Sequence, residues 1–227
     1  MTDIKCSINW QRVEKEVLTR ERIGPRKNNP AIFESVKTCI EKARLLCSPN
    51  AIFSEKKIIS ILPDSIDLEG NVTLLTRSIS AYIKGGDRVR IFLVTIGCPL
   101  EEEASRLMND GEQLEGYLLD RIGSFAVEML AEDFEYKLRE ACALNKESVS
   151  MRFSPGYCDW PIEEQFKLDK LINFSKAGVR LTENCMMIPK KSISAMTGIG
   201  PEGAFSPNKR SPCFICNIKK CDYKRMV

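Results

Sequence analysis

Histidine is absent from this 227-residue chain, and that one absence removes several chemistries together. Without an imidazole there is no Ser-His or Cys-His nucleophilic pair and no His-ligated zinc or haem. Any chemistry must fall to carboxylates, thiols, tyrosine, lysine or a bound cofactor, and the cofactor is the more economical reading. Excess charge of one sign is missing as well, since 34 basic residues are interspersed with 31 acidic ones. A net charge of +3 without segregation gives no electrostatic footprint for nucleic acid. No apolar run approaches the roughly 20 residues needed to span a bilayer, and the N-terminal Met1-Thr-Asp-Ile-Lys5 lacks the apolar core of a secretion signal. The expectation is a soluble, cytoplasmic protein without membrane partners. No Gly-rich strand-to-helix turn of the Rossmann kind is present, which argues against a general Rossmann-type methyltransferase.

What the chain does have is cysteine, ten in all. Without an export signal these read as reduced thiols or metal ligands rather than a disulfide framework. Cys39 and Cys47 fall on the apolar stripe of a helix and Cys142 near the end of another, where a free thiol behaves as a small hydrophobe. The last residues differ, because Cys213-Phe-Ile-Cys216-Asn-Ile-Lys-Lys-Cys221 is a C-x2-C-x4-C cluster flanked by lysine and arginine. Three thiolates at that spacing suit one metal centre, zinc or iron-sulfur, with Cys158, Cys185 or an exogenous molecule as fourth ligand. Spacing alone separates neither the metals nor the fourth ligand.

Hydrophobic periodicity organises the rest. Residues 1–30 read as an N-terminal arm with a short helix anchored by Trp10, residues 31–205 as one domain, and 206–227 as the Cys-rich tail. Phe33, Val36, Cys39, Ile40, Ala43 and Cys47 recur at helical spacing. Strands are expected at Ile58–Leu62, at Val72–Ile83 from the alternation of Ile79, Ala81 and Ile83, and at Arg88–Ile96, whose unbroken apolar run suits a strand covered on both faces. Ala104 to Met108 and Ile122 to Leu138 restore the helical period. A helix follows over 160–177, with Pro161 at its start and Gly178 past its end, and strands follow near Cys185–Ile188 and Ser192–Thr197. This order is not the alternation of a doubly wound fold, so the chain is read as α+β with a twisted, largely antiparallel or mixed sheet flanked by helices.

The most pointed local signal is Met151-Arg-Phe-Ser-Pro-Gly-Tyr-Cys158. A fixed cation, a turn that only glycine closes easily and an aromatic lie within six residues, a combination suited to a ligand with a carboxylate and a ring. Arg152-Phe-Ser-Pro-Gly-Tyr157, the later Leu181-Thr-Glu-Asn-Cys-Met-Met-Ile-Pro189 and Ser192-Ile-Ser194, together with the earlier Thr95-Ile-Gly-Cys-Pro-Leu100 and Leu119-Asp-Arg-Ile-Gly-Ser124, form an ordered series over residues 89–200. That series resembles the reactivation (activation) domain family of cobalamin-dependent methionine synthase.

The resemblance implies a fold, a ligand and a reaction. In that family the Arg-x-x-x-Gly-Tyr segment binds S-adenosylmethionine, so Arg152 is expected at the methionine carboxylate, Ser154, Pro155 and Gly156 along the ligand, and Tyr157 near the corrin face. The implied activity is reductive methylation of cob(II)alamin, carried by a separate corrinoid protein or cobalamin-dependent methyltransferase and fed by a low-potential electron donor. On this view the chain acts in trans as a stand-alone reactivation protein, and no residue need serve as general base. The competing expectation is a docking or assembly module for a corrinoid protein that does not use S-adenosylmethionine.

Overall fold

Both faces of the apolar run before Gly97 are covered. In the computed structural model, which describes residues 4–24 and 30–205, this run lies in β4 (Arg88–Thr95). Its antiparallel neighbours are β1 (Asn50–Ile61) and β8 (Ser192–Pro201), in register at Phe53↔Phe92 and Phe92↔Ala195. Beyond β1 come β2 (Ser65–Leu68) and β3 (Val72–Leu75), and beyond β8 comes β5 (Glu147–Val149), giving the order β3-β2-β1-β4-β8-β5 with antiparallel pairing throughout.

Residue alternation along β4 supplies two separate cores. Phe92 and Val94 pack under α1 (Trp10–Arg20), α2 (Pro30–Leu46), α4 (Pro99–Asn109) and α5 (Gln113–Leu144). Val89, Ile91 and Leu93 face the other way, toward α3 (Arg77–Ile83), α6 (Gln165–Ile172) and the irregular chain around Phe153 and Trp160. The first core is centred on Phe134 of α5, stacked on Phe92 at 4.4 Å between ring centroids and edge-on to Phe53 at 5.7 Å. Such pairs add about 1 kcal/mol to the burial of the rings.

A sheet with helices on both faces and purely antiparallel pairing among the described residues is the α+β class expected from the sequence. Among those residues no helix is long and apolar enough to cross a membrane. The N-terminal segment contributes to the main core, because Val13 and Val17 of α1 are fully buried in it.

Several elements depart from expectation. The strand expected over Val72–Ile83 ends at Leu75, and α3 takes its second half. Thr76 caps that helix, its hydroxyl accepting from the Ile79 N–H at 3.3 Å. Ile79 and Ile83 are buried while Ala81 is exposed, so the apparent alternation is an i, i+4 helical stripe. The helix expected over 160–177 is broken into a 3-10 turn at Ile162–Glu164, α6, and a second 3-10 turn at Phe174–Ala177. Asn173, at φ +56°, makes the break. The strand near Cys185 shortens to β7 (Met187–Ile188), paired with β6 (Arg180–Leu181) apart from the main sheet. The helix read over Ile122 to Leu138 begins earlier, at Gln113.

The glycines of α5 explain that long start. A Cβ on Gly116 would stand 2.8 Å from the Ala104 carbonyl, and one on Gly123 would stand 2.5 Å from Leu100 Cδ2. The two glycines lie seven residues apart on one face, so α4 packs directly against the α5 backbone. Cys39 and Cys142 are buried, and burial pushes the Cys39 thiol up to about 11 and the half-buried Cys47 thiol up to about 12. These are inert, space-filling cysteines.

Candidate functional site

The segment after β5 is pinned to the sheet on one side and exposed at Gly156 and Tyr157. Phe153 exchanges both backbone hydrogen bonds with Met196 of β8, at 2.9 and 2.8 Å, and the Phe153 and Trp160 side chains are each about 1% exposed. Between these anchors the Tyr157 N–H donates to the Ser154 carbonyl at 3.1 Å. Pro155 and Gly156 take the two central positions and Gly156 has φ +88°, the arrangement of a type II turn. A second bond, from the Gly156 N–H to the Trp160 carbonyl at 2.8 Å, closes the loop. Gly156 and Tyr157 project at the surface, Ser154 is half-buried and Pro155 is buried. Pro155 therefore shapes the turn from beneath.

Asp159 locks the same loop to α3. Its carboxylate accepts from the Arg77 and Ser78 N–H groups, at 2.8 Å and 3.1 Å, and from the Thr76 hydroxyl at 3.3 Å. Burial pushes this carboxyl up, but the N–H groups of Ser78 and Arg77 outweigh it and hold it below its ordinary range.

Arg152 is not an isolated cation awaiting a ligand. Its Nη2 donates to Glu128 Oε2 at 2.9 Å and its Nε stands 3.6 Å from Glu135 Oε2, both carboxylates projecting from the middle of α5. The side chains of Arg152 and Glu135 are only 17% and 15% exposed. Burial disfavours the guanidinium charge, yet the fields of Glu135 and Glu128 outweigh it and keep the group protonated. Glu135 is the weaker-held partner. Burial raises its pKa against the lowering fields of Arg152 and Arg139. Nη1 of Arg152 is buried without a hydrogen-bond partner among the described residues, which costs about 1–3 kcal/mol unless a ligand or water satisfies it.

Of the residues expected at the ligand, Ser154, Pro155, Gly156 and Tyr157 form one turn and Arg152 lies just before it; Glu128, Glu135 and Asp159 were not singled out in the sequence. A signal for the first two was present: Glu128, Glu132, Glu135 and Arg139 make a charged stripe on an otherwise apolar helix. A separate cleft of about 320 Å³ lies at the C-terminal end of α5, lined by Glu55, Arg88, Arg90, Cys142 and Glu147 among others. Its charges are spent on one another, with Arg88 Nη2 at 2.7 Å from Glu147 and Arg90 paired to Glu55. Cys213, Cys216 and Cys221 lie outside the described residues. Cys185 is buried and Cys158 half-buried, and no cluster of three or more cysteine or carboxylate side chains suited to a metal occurs among the described residues.

A family model described as vitamin B12 dependent methionine synthase, activation domain, matches residues 75–206, a span that contains the turn, Arg152 and both of its carboxylate partners. The chain belongs to the methionine synthase activation-domain family. Its fold is similar to that in a crystal structure of the MetH reactivation domain bound to AdoHcy, with a TM-score of 0.62 at 16% identity over 84% of this chain and 73% of that chain. No curated protein matches the chain with significance. In this chain the turn is presented from the edge strand β5 and its neighbour β8, and α5 supplies the acidic groups that hold Arg152.

Proposed function

We propose that the protein binds S-adenosylmethionine at the Arg152–Tyr157 turn and supports reductive methylation of cob(II)alamin on a corrinoid partner. The observation that carries this reading is an arginine fixed by two carboxylates, with one nitrogen still unpartnered, at the foot of an exposed Pro-Gly turn in a chain of the activation-domain family. The site's residues suit the ligand: a carboxylate takes the guanidinium fork, and Gly156, exposed at positive φ, lets the backbone turn sharply beside the ligand. The methyl donor, when bound, supplies a sulfonium-activated methyl group, and the partner supplies a cobalt centre that receives it after one-electron reduction by a low-potential donor.

This chain's own residues bind and orient. Arg152 would share its fork between Glu128 and the ligand carboxylate, and its fixed position fixes the ligand's reach. Tyr157, 45% exposed, would meet the partner's corrin face. No general base is needed, which agrees with the absence of histidine.

The test is calorimetric titration with S-adenosylmethionine and S-adenosylhomocysteine, followed by mixing with a cob(II)alamin-carrying protein, reductant and S-adenosylmethionine. Binding that depends on Arg152, and faster appearance of the methylcobalamin spectrum, are the expected results. Wild-type protein that fails to bind either compound at millimolar concentration, yet still associates with the corrinoid protein, would replace this reading with the docking-module one.

A further inference from the structure

Around Arg152 the charges are balanced, and Glu135 is the carboxylate least well compensated. From α5 come Glu128, Glu132, Glu135 and Arg139; from the loop after β5 comes Arg152; from α1 comes Arg12. Glu128 holds Arg152 at 2.9 Å, and Glu132 pairs with Arg12 at 2.5 Å. Arg139 is spent on the carbonyls of Val149 and Ser150, both at 2.6 Å. The nearest cation to Glu135 in an ion pair is Arg152, with Nε at 3.6 Å, beyond hydrogen-bonding distance, and Arg139 adds its field. Three carboxylates thus face three guanidinium groups, and the most buried acid has the poorest contact. A ligand carboxylate at the Arg152 fork would add a fourth negative charge and draw on the same guanidinium field that favours the ionised form of Glu135 against its burial.

We propose that Glu135 is a proton-linked positioning residue, taking up a proton when an anionic ligand group docks on Arg152 and so releasing the guanidinium to that ligand. The proposal rests on the reading of this turn as the S-adenosylmethionine site. No bond other than O–H forms: the proton comes from solvent, and it returns there when the ligand leaves. With its carboxylate on the fork, the ligand would oppose ionisation of Glu135 through that group, and the α-ammonium would offset part of the effect.

The sign follows from linkage. A complex that holds more protons than its parts weakens as pH rises, so affinity falls with rising pH across the interval between the free and bound pKa values of Glu135. A rigid structural ion pair would give no such slope.

Titration of the full chain with S-adenosylhomocysteine in two buffers of different ionisation enthalpy at one pH, repeated between about pH 5 and 8 to cover the range of raised carboxyl pKa values, reads the proton directly. Wild-type protein is expected to take up as much as one proton per ligand somewhere in this range. Glu135→Gln, which mimics the protonated acid, should bind no more weakly than wild type and take up none, whereas Glu128→Gln should keep the uptake. Binding by the wild type without proton uptake at any pH tested, or undiminished uptake in Glu135→Gln, overturns the role of Glu135 and leaves the ligand assignment intact. Absence of wild-type binding overturns both.

Discussion

Arg152 and Glu128, 24 positions apart in sequence, meet at 2.9 Å between Nη2 and Oε2, so the Pro-Gly turn proposed to hold the ligand is fastened to the centre of the longest helix among the described residues. The pair sits half in and half out of water, with 17% and 26% of the side chains exposed. Ordering the arginine before any ligand arrives removes rotamer entropy that binding would otherwise have to overcome. The same contact means that a ligand carboxylate must share the guanidinium with Glu128, so affinity depends on how the carboxylates of α5 respond.

Arg152→Ala should therefore have two effects. Removing the charge-assisted contact weakens S-adenosylmethionine by about 1.5–3 kcal/mol. It also strands Glu135, and the fold should lose about 2 kcal/mol at neutral pH, less than for a fully buried pair because water reaches part of the site. Glu135, whose pKa burial raises, is more readily protonated without its cation. The stability loss should consequently shrink as pH falls into the carboxyl range. Calorimetry and urea denaturation at two pH values check both effects, and equal stability loss at neutral and acid pH would contradict the account.

Gly156→Ala tests the turn rather than the charge. At φ +88° an alanine is strained, and its Cβ would lie 3.1 Å from Ile162 Cδ1. The expected cost is about 1–2 kcal/mol of stability, with ligand affinity reduced because the turn must shift to relieve the contact with Ile162. A variant of wild-type stability and affinity would mean that the turn relaxes freely and does not form the ligand's floor.

Much of the fold is legible in the sequence because it depends on local patterns. The unbroken run Ile91–Ile96 needs cover on both faces, and it is β4. Val36, Cys39, Ile40 and Ala43 keep the 3.6 period, and they are the buried face of α2. Period alone misleads where Ile79 and Ile83 fit both templates; Thr76 as cap decides for helix, and a cap is weighed only when the break before it is recognised. β2 was hidden because Asp67-Leu-Glu-Gly70 reads as a turn, whereas the chain turns later, at Gly70 and Asn71, both with positive φ. In the site, the Pro-Gly turn is a local device and shows in the sequence. The partners Glu128 and Glu135 are set by how α5 lies across β5, a long-range fact that no window of residues contains.

The tail cysteines yield an independent prediction. If Cys213, Cys216 and Cys221 hold one zinc or iron-sulfur centre, anaerobically prepared protein should carry close to one equivalent of zinc or one cluster. Replacing all three by serine should abolish it without changing the far-UV circular dichroism of the domain. Metal-free wild-type protein whose three thiols are all alkylated in the native state would end the proposal.

The last prediction concerns acid. Glu103 on α4 accepts from Arg106 of its own helix, with Nε at 2.7 Å, and from Lys42 of α2, so one carboxylate joins two helices of the outer layer. The hydrogen bonds from Arg106 and Lys42 outweigh a small desolvation penalty and pull its pKa down from 4.5 to about 2. A carboxyl whose pKa is depressed on folding stabilises the fold above the unfolded value, and that stabilisation is lost as pH falls from about 4.5 to about 2. Because the group lies near the surface, solvent screening reduces the benefit to about 1 kcal/mol or less. Glu103→Gln should lower stability by that amount at pH 7, and the difference from wild type should shrink to a small remainder near pH 2, the folded-state pKa, and vanish below it. High salt should shrink it at neutral pH as well. Urea denaturation of both proteins across this range is the measurement, and a difference that stays constant down to the lowest pH would show that Glu103 acts through packing rather than through its charge.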